Sequence, residues 1–309
     1  MEYNSVLSSV LYILYDPFFT EHVLHDEGLV THPPYYGNRN FILRIIRELH
    51  FRLNMPFKKI WFQPIKVEYK IYFIFSDLII PEYIKWLHAQ FPSSKFIMCY
   101  MNNVNAKTDP DRFRFDYLKL WSGDVNDCKN YGINLVQNSG AYGRNWIVKK
   151  REPQYDIFFV GKDKGMKRLD TLLKLEERFK RMGLSTYFHI VAEHRYDRYR
   201  NKHYKSFMPY EECLQYLGKT KAILYLGYGS QEAVTIRVQE SLIHKIKLIT
   251  DCCWLKKYDF YNPNNIFILG EDDFSQLIHF LNTPYVEVKA EILKHIYIED
   301  LIQEIISNS

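Results

Sequence analysis

Four polar side chains follow an apolar segment and a glycine turn late in the chain. The sequence reads AILYLG at 222–227, YGS at 228–230 and QEAVTIRVQESLIHK at 231–245. A strand that enters a helix through a Gly-Ser turn leaves the first helical N–H groups unpaired, and it points the positive end of the helix dipole at the turn. Such helix ends bind anions, most often phosphate. We therefore predict a phosphate-binding helix at 233–245 that carries or follows the polar residues Gln231, Thr235, Arg237 and Glu240.

Arg237 and Glu240 are three residues apart, so they lie on neighbouring turns of that helix. Arginine forms forked hydrogen bonds with phosphate, and a carboxylate accepts from two hydroxyls of a sugar ring. The functional interpretation is that Arg237 binds phosphate and Glu240 binds a ribose. The alternative is a solvated ion pair on the helix surface. Under the functional interpretation, Glu240→Gln and Arg237→Ala weaken nucleotide binding and hardly change stability.

A second candidate anion site is the segment VGKDKGMKR at 160–168, where a predicted strand ends. Gly161 offers a main-chain N–H, and Lys164 and Arg168 offer positive charge. The segment has neither the GxxxxGK[ST] order of a Walker loop nor the GxGxxG order of a dinucleotide-binding turn. A solvated basic turn is the alternative.

The whole chain of 309 residues alternates predicted strands and helices, which favours an α/β fold with parallel sheets. Its length is typical of two medium domains. We predict strands at 10–15, 58–63, 70–75 and 95–100 in the first half, and a last helix at about 286–306. The charged, proline-ended stretch KKREP near 150 is the predicted boundary between a domain at 1–150 and a domain at 151–309.

The pattern Q-x-x-x-T-x-R-x-x-E, followed by LIT and by YDFYNPNNI, resembles the donor-binding half of GT-B-type glycosyltransferases. It is most similar to bacterial enzymes of capsule, O-antigen and exopolysaccharide biosynthesis. The resemblance implies two Rossmann-like doubly wound domains facing a cleft. The C-terminal domain would bind the nucleotide sugar, the N-terminal domain would bind the acceptor, and a final helix would be able to cross back to the first domain.

The resemblance also assigns roles to single residues. It supports Glu240 as the ribose ligand and places Gln231 and Thr235 in the donor site, with helix capping as their alternative. Glu232 lies eight residues before Glu240, which matches the Glu-x7-Glu spacing of many retaining enzymes of this fold, with coincidence as the alternative. The segment with Gly161, Lys164 and Arg168 would face the donor diphosphate.

We therefore expect a glycosyltransferase that moves a sugar from a nucleotide diphosphate donor to a cell-surface polysaccharide or lipopolysaccharide acceptor, which the resemblance implies is lipid-linked. A nucleotide-sugar epimerase of the same fold and a non-catalytic carbohydrate-binding protein are the alternatives. An inverting enzyme needs a base to deprotonate the acceptor. Asp16 and Asp77 follow apolar strands and are the first candidates, with His22 and His32 behind them and helix capping as the alternative.

No cofactor is expected beyond the donor substrate, and no metal. The pair Asp109 and Asp111 has the DxD form, but it flanks a proline in a polar loop and does not directly follow a strand. The net charge of +5 does not indicate nucleic acid, and no nucleic-acid motif is present.

No apolar run reaches the roughly 18 residues of a membrane span. The apolar segment 6–15 lacks a basic flank, so we expect a buried strand and not a signal peptide. Five cysteines without metal spacing suit a reducing compartment. We therefore expect a cytoplasmic protein, with peripheral association at the inner face of the plasma membrane left open. The basic, tyrosine-rich segment 194–205 is either a solvated loop or a contact with an anionic membrane.

Overall fold

The computed structural model describes two compact units of the chain. Described residues are 9–14, 28–37, 40–136, 142–144, 146, 148–164, 168–227, 232–294 and 296–309, with Arg195 described in its main chain only. The first unit comprises residues 1–146, 232–234 and 295–309, and the second comprises 147–231 and 235–294. The domain boundary that we predicted at residue 150 stays a prediction.

The first unit is built on a parallel sheet of six strands. They are β1 (Val10–Ile13), β2 (Thr31–His32), β3 (Ile71–Phe75), β4 (Lys95–Tyr100), β5 (Leu118–Ser122) and β6 (Asn134–Leu135). Their order is β2-β1-β3-β4-β5-β6, and every neighbouring pair is parallel. Strands buried on both faces read as continuous apolar runs, which is why VLYI and IYFIF were recognisable in the sequence.

Four described helices belong to this unit: α1 (Phe41–Arg52), α2 (Pro81–Gln90), α3 (Val125–Tyr131) and, later in the chain, α9 (Ile298–Ser307). Helix α2 begins with Pro81, whose missing N–H is harmless at that position. Its buried face packs Tyr83 against Tyr35 and Phe62 in the core of the unit.

The second unit contains another six-stranded parallel sheet. Its strands are β7 (Tyr155–Asp163), β8 (Thr186–Ala192), β9 (Tyr204–Lys205), β10 (Thr220–Tyr225), β11 (Lys247–Thr250) and β12 (Ile266–Ile268). Their order is β12-β11-β10-β7-β8-β9. The sheet order reverses between β10 and β7, as in doubly wound folds. The predicted α/β class with two Rossmann-like parallel sheets is confirmed.

The described part of the second unit contains five helices: α4 (Arg168–Arg181), α5 (Tyr210–Leu217), α6 (Ile236–His244), α7 (Leu277–Asn282) and α8 (Ala290–Lys294). Leu172 and Phe179 of α4 are fully buried, and both belong to the core that lies along β7, β8 and β10. No helix among these described segments is long and apolar enough to cross a membrane.

Two sequence predictions about elements were wrong. The predicted strand at 58–63 is a short 3-10 helix at Lys58–Trp61, because Phe57 adopts a left-handed conformation with φ of 62° and the chain turns there. The predicted helix at 286–306 is two helices, α8 and α9. Between them Tyr297 pairs with Tyr142, and the N–H of Ile298 donates to the carbonyl of Tyr142, so main-chain pairing replaces helix.

Candidate functional site

The carboxyl ends of β7 and β10 lie side by side in the second sheet, where the strand order reverses. In open parallel sheets, ligands bind at this switch point. Arg168, the first residue of α4, reaches across it. One guanidinium nitrogen donates to the carbonyl of Lys162 at 3.5 Å, and another donates to the carbonyl of Leu226, which follows β10. Its Nε is buried and has no hydrogen-bond partner among the residues that the structure describes.

The N-terminus of α4 already holds a carboxylate. Asp163, the last residue of β7, is buried, and its Oδ1 accepts from the N–H groups of Arg168 at 2.7 Å and Leu169 at 3.1 Å. Its Oδ2 accepts from the hydroxyl of Tyr204 at 2.7 Å. Burial, and then the hydrogen bond to Asp163, raises the pKa of Tyr204 to about 12. A phosphate at this helix end would therefore have to use donors other than these two N–H groups.

Gly161 lies inside strand β7, whereas Lys164 lies just after that strand. Gly161 is inside β7, paired with Ile190, because the strand continues to Asp163 and does not end at the glycine as the sequence suggested. A Cβ there would be 3.1 Å from the Phe159 ring. Lys164 directly follows the strand. Desolvation by the surrounding protein, and then the charges of Arg168 and Lys162, lower the pKa of Lys164. The Glu193 carboxylate acts on the pKa of Lys164 in the opposite direction, and Lys164 and Arg168 are two basic side chains close together after β7.

Helix α6 begins at Ile236, three residues later than predicted, so Thr235 takes the N-cap position. Its side chain makes no capping hydrogen bond, although its Oγ1 is buried. The Thr235 carbonyl accepts from the N–H groups of Val238 and Gln239 at 3.0 Å each, and no contact among the described residues uses the N–H groups of Ile236 and Arg237. The helix end therefore keeps part of its positive partial charge. Of the four polar residues predicted on this helix, Arg237 and Glu240 lie on it.

Tyr225, the last residue of β10, links this helix end to Arg168. Its pKa is raised to about 12, first by burial and then by the neighbouring Cys252 thiol, while Thr235 and Arg168 act in the opposite direction. Both of these residues therefore lie close enough to influence the Tyr225 hydroxyl. The sequence analysis missed Tyr225, although its position at the end of an apolar strand was a usable signal.

Arg237 and Glu240 form a buried cluster with residues of α5. The Arg237 guanidinium donates to Glu240 Oε2 at 2.5 Å and to the Cys213 sulfur at 3.3 Å, and the Tyr210 hydroxyl donates to Glu240 Oε1 at 2.7 Å. The Glu240 side chain is 0% exposed and that of Arg237 is 17% exposed. Burial raises the pKa of Glu240, and the attraction of Arg237 and the hydrogen bond from Tyr210 partly offset that rise.

This burial rules out the solvated surface pair as an explanation of the Arg237–Glu240 spacing. Both oxygens of Glu240 accept hydrogen bonds from within the protein. The predicted contacts of Glu240 with ribose and of Arg237 with phosphate stay predictions. Nothing in the sequence indicated that Tyr210 would face Glu240, since the two are 30 residues apart and on different helices.

Gln231 and Glu232, two of the predicted donor-binding residues, come before α6 in the chain. Gln231 is outside the described residues. Glu232 is counted with the first unit, where its N–H donates to Asp124 Oδ2 at 3.2 Å. Asp124 in turn caps α3 by accepting from the N–H of Asp127. Their roles in donor binding stay predictions.

The candidate bases belong to the first unit, where Asp16 and His22 fall outside the described residues. Asp77 follows β3, and its carboxylate accepts from the Asn102 side chain at 2.8 Å. His32 lies in β2, and its Nε2 is 3.3 Å from the carbonyl of Gln63. Burial lowers the pKa of His32. The sheet order reverses at β1 and β3, so the ends of these strands are the switch point of this unit.

Asp109 and Asp111 have local structural roles. Asp109 caps the 3-10 helix Pro110–Phe113 by accepting from the N–H of Asp111, and Asp111 pairs with Arg114 at 3.0 Å. Within the described ranges, no three potential metal ligands are gathered in one place.

The basic segment 194–205 contains a 3-10 helix at Arg195–Arg200 and then β9. Asp197 is buried and pairs with Arg200 at 2.8 Å. Tyr196 and Tyr199 are exposed. The solvated loop and the membrane contact both remain as interpretations of this segment.

No protein-family model matches the sequence, and no curated protein matches it either. Among solved structures, the chain is similar to the crystal structure of a glycosyltransferase from Rickettsia africae ESF-5. The two share 11% identity with a TM-score of 0.47, over 97% of this chain and 93% of that chain. A likeness at this level assigns neither an activity nor a residue role to this chain.

Proposed function

We propose that the chain is a glycosyltransferase that transfers a sugar from a nucleotide diphosphate donor to a glycan acceptor. The observation that carries the proposal is the switch point of the second sheet. There the cationic side chains of Arg168 and Lys164 follow β7, and Thr235, the N-cap residue of α6, makes no side-chain capping bond to the first N–H groups of that helix. A diphosphate carries two adjacent anionic groups, and it matches this combination of cations and helix end.

In the proposed reaction the bond between the sugar and the diphosphate breaks, and negative charge develops on the leaving diphosphate. Preorganised cations and N–H groups aimed at that charge stabilise the transition state. We propose that Arg168, Lys164 and the N–H groups of α6 supply this stabilisation. No resident cofactor and no obligatory metal ion belong to the proposal, so we expect turnover to persist in EDTA.

The acceptor is proposed to bind the first unit, with Asp77 removing the proton of its attacking hydroxyl. Asp77 follows β3 at the switch point of that sheet, and its carboxylate accepts a hydrogen bond from the Asn102 side chain at 2.8 Å. A cell-surface glycan, polymeric or lipid-linked, is the proposed acceptor class, on the strength of the sequence resemblance.

The test is calorimetric titration with nucleoside diphosphates and nucleotide sugars. Lys164→Gln removes one charge-assisted contact, worth about 1.5–3 kcal/mol, and should weaken binding by about tenfold to a hundredfold. Lys174→Gln is the matched control, because Lys174 is also an exposed lysine and lies on α4 itself. Wild-type protein that binds no nucleoside diphosphate at millimolar concentration would refute the proposal.

Turnover separates the proposal from its alternatives. Asp77→Asn should lower kcat and leave nucleotide affinity unchanged. Conversion of a nucleotide sugar without any acceptor would favour an epimerase. Glycan binding without any nucleotide binding would favour a carbohydrate-binding protein.

A further inference from the structure

Helix α1 turns its apolar side outward. Seven large apolar side chains on α1 and the segment after it are between 48% and 80% exposed. We call them the docking face: Phe41, Ile42, Ile46, Leu49, Leu53, Phe57 and Ile60. Ile45 adds to the same side of the helix, because residues three and four apart share a face. Soluble proteins rarely expose apolar patches this extensive unless they serve an interaction.

Surface helices usually pack apolar side chains inward, whereas the side of α1 that faces the protein carries a buried arginine. Arg47 is 1% exposed, its guanidinium donates to the carbonyl of Tyr36 at 2.8 Å, and it lies 5.1 Å from the Tyr35 ring centre. Phe51 packs edge-on against Tyr35. Asn40 caps the helix by accepting from two main-chain N–H groups. The helix is therefore fixed in place by Arg47 and Phe51, and its outward orientation is built into the fold.

The segment that carries the docking face has more positive than negative charge. Between residues 41 and 60, Glu48 is the single acidic residue against five lysines and arginines. Arg47 is buried and Lys58 pairs with Glu82 at 2.5 Å, whereas Arg52 and Lys59 are exposed and Arg44 is half-buried. Long cationic side chains can bury their stems in an apolar layer and keep their charge at its polar surface.

A cavity of about 610 Å³ opens beside the same helix. Ile45, Leu49 and Arg52 line it on the α1 side, and Leu78, Lys107 and Arg112 line it on the other. Glu48 is also at its wall. With Arg47, four cations line the cavity, and their mixture with apolar side chains suits an anionic headgroup with its first acyl carbons. The cavity thus extends the charge pattern of the docking face.

We propose that the docking face binds the surface of an anionic lipid bilayer, with α1 lying in the plane of the interface. Short amphipathic helices with apolar and cationic faces bind membranes in this way. A second copy of the chain is a weaker candidate, because two docking faces would bring Arg44, Arg52 and Lys59 of one copy against the same cations of the other. The proposal does not depend on glycosyl transfer.

The test is co-sedimentation of the full chain with vesicles of phosphatidylcholine, with and without phosphatidylglycerol. The docking variant carries Ile42→Gln, Leu53→Gln and Phe57→Asn. Asparagine tolerates the positive φ of 62° at position 57 better than phenylalanine does. The matched control carries Val125→Gln, Leu135→Gln and Ile278→Gln, which are exposed apolar positions elsewhere.

Wild-type protein should bind the anionic vesicles, bind neutral ones more weakly, and lose binding as salt rises. Each apolar side chain withdrawn from the interface should reduce partitioning by about tenfold, so the docking variant, with three such changes, should lose about a thousandfold. The control and an Arg198→Gln/Lys202→Gln variant of the segment 194–205 should bind like the wild type. Thermal melting should match for all variants, since the changed residues are exposed.

Three results would overturn the proposal: wild-type protein that ignores anionic vesicles, a docking variant that sediments like wild type, or loss of binding only in the Arg198→Gln/Lys202→Gln variant. A wild-type dimer that becomes monomeric in the docking variant, without vesicle binding, would assign the face to a second copy. Nucleotide affinity measured on the same variants keeps the outcome separate from that of the donor-site test.

Discussion

Replacing Arg237 should strongly destabilise the protein. Arg237→Met removes the cation but keeps most of the side-chain volume, and it leaves the Glu240 carboxylate at 0% exposure with the Tyr210 hydroxyl as the remaining donor among the contacts described. Removing one partner of a buried ion pair costs about 3–5 kcal/mol. The sequence-based expectation that stability would hardly change assumed a solvent-accessible arginine, whereas the pair is buried, so we now expect the opposite.

The cost should depend on pH in a defined direction. Burial already raises the pKa of Glu240, and Arg237 counteracts this rise. In Arg237→Met the folded-state pKa of Glu240 therefore lies further above its unfolded value. A group with a raised folded pKa contributes stability that is complete below the unfolded pKa and is lost as pH rises through the folded pKa. The variant should be less destabilised at pH 5 than at pH 8.

A double-mutant cycle, followed by urea unfolding, measures the interaction free energy between Arg237 and Glu240. Arg237→Met/Glu240→Gln removes both charges, while the amide oxygen introduced by Glu240→Gln can still accept from Tyr210. The double variant should therefore cost about 1–2 kcal/mol, less than Arg237→Met alone. Arg181→Met is the control, because Arg181 and Glu177 form an exposed pair, 71% and 68% accessible, that is worth about 0.3–0.5 kcal/mol. An Arg237→Met effect as small as the control, or strictly additive costs, would refute the buried-pair argument.

Two further predictions concern stability. Burial, and then the nearby charge of Lys150, lowers the pKa of His244 to about 4. A lowered folded-state pKa gives stability that is present above about pH 6.5 and lost on acidification, so about 2–3 kcal/mol of unfolding free energy should disappear between pH 7 and pH 4.5. In urea titrations, His244→Gln should reduce this loss. Gly218→Ala should cost about 1–3 kcal/mol, because its Cβ would lie 2.5 Å from the Lys149 carbonyl oxygen. Gly183→Ala meets no atom within 4 Å and should cost only the roughly 1 kcal/mol of its positive φ, so equal thermal shifts for the two variants would contradict the steric explanation.

The buried strands were the easiest elements to predict, because β3, β4 and β11 are short apolar runs bounded by turns. Helix boundaries near the candidate site were harder. The start of α6 was predicted three residues early because Ala233 and Val234 fit a helical apolar pattern, whereas both are buried in the loop before it. The sequence did not allow us to predict which polar side chains on different helices and strands contact one another. The contacts of Asp163 with α4 and of Tyr210 with Glu240 depend on long-range packing.

The two helix ends at the switch point of the second sheet differ in a way that bears on where an anion would bind. At α4, the buried Asp163 uses two N–H groups and adds a negative charge close to Arg168. At α6, Thr235 occupies the N-cap position, but its side chain makes no capping hydrogen bond. On the helix itself, the opposite charges of Arg237 and Glu240 pair with each other. In the proposed function, the Asp163 carboxylate disfavours a diphosphate at the first helix, while on the side of the second helix the Asp251 carboxylate accepts from the N–H of Gly227 at 2.7 Å. We place the donor diphosphate of the proposed function on the α6 side, because Tyr225, at the end of β10, lies close to both Thr235 and Arg168.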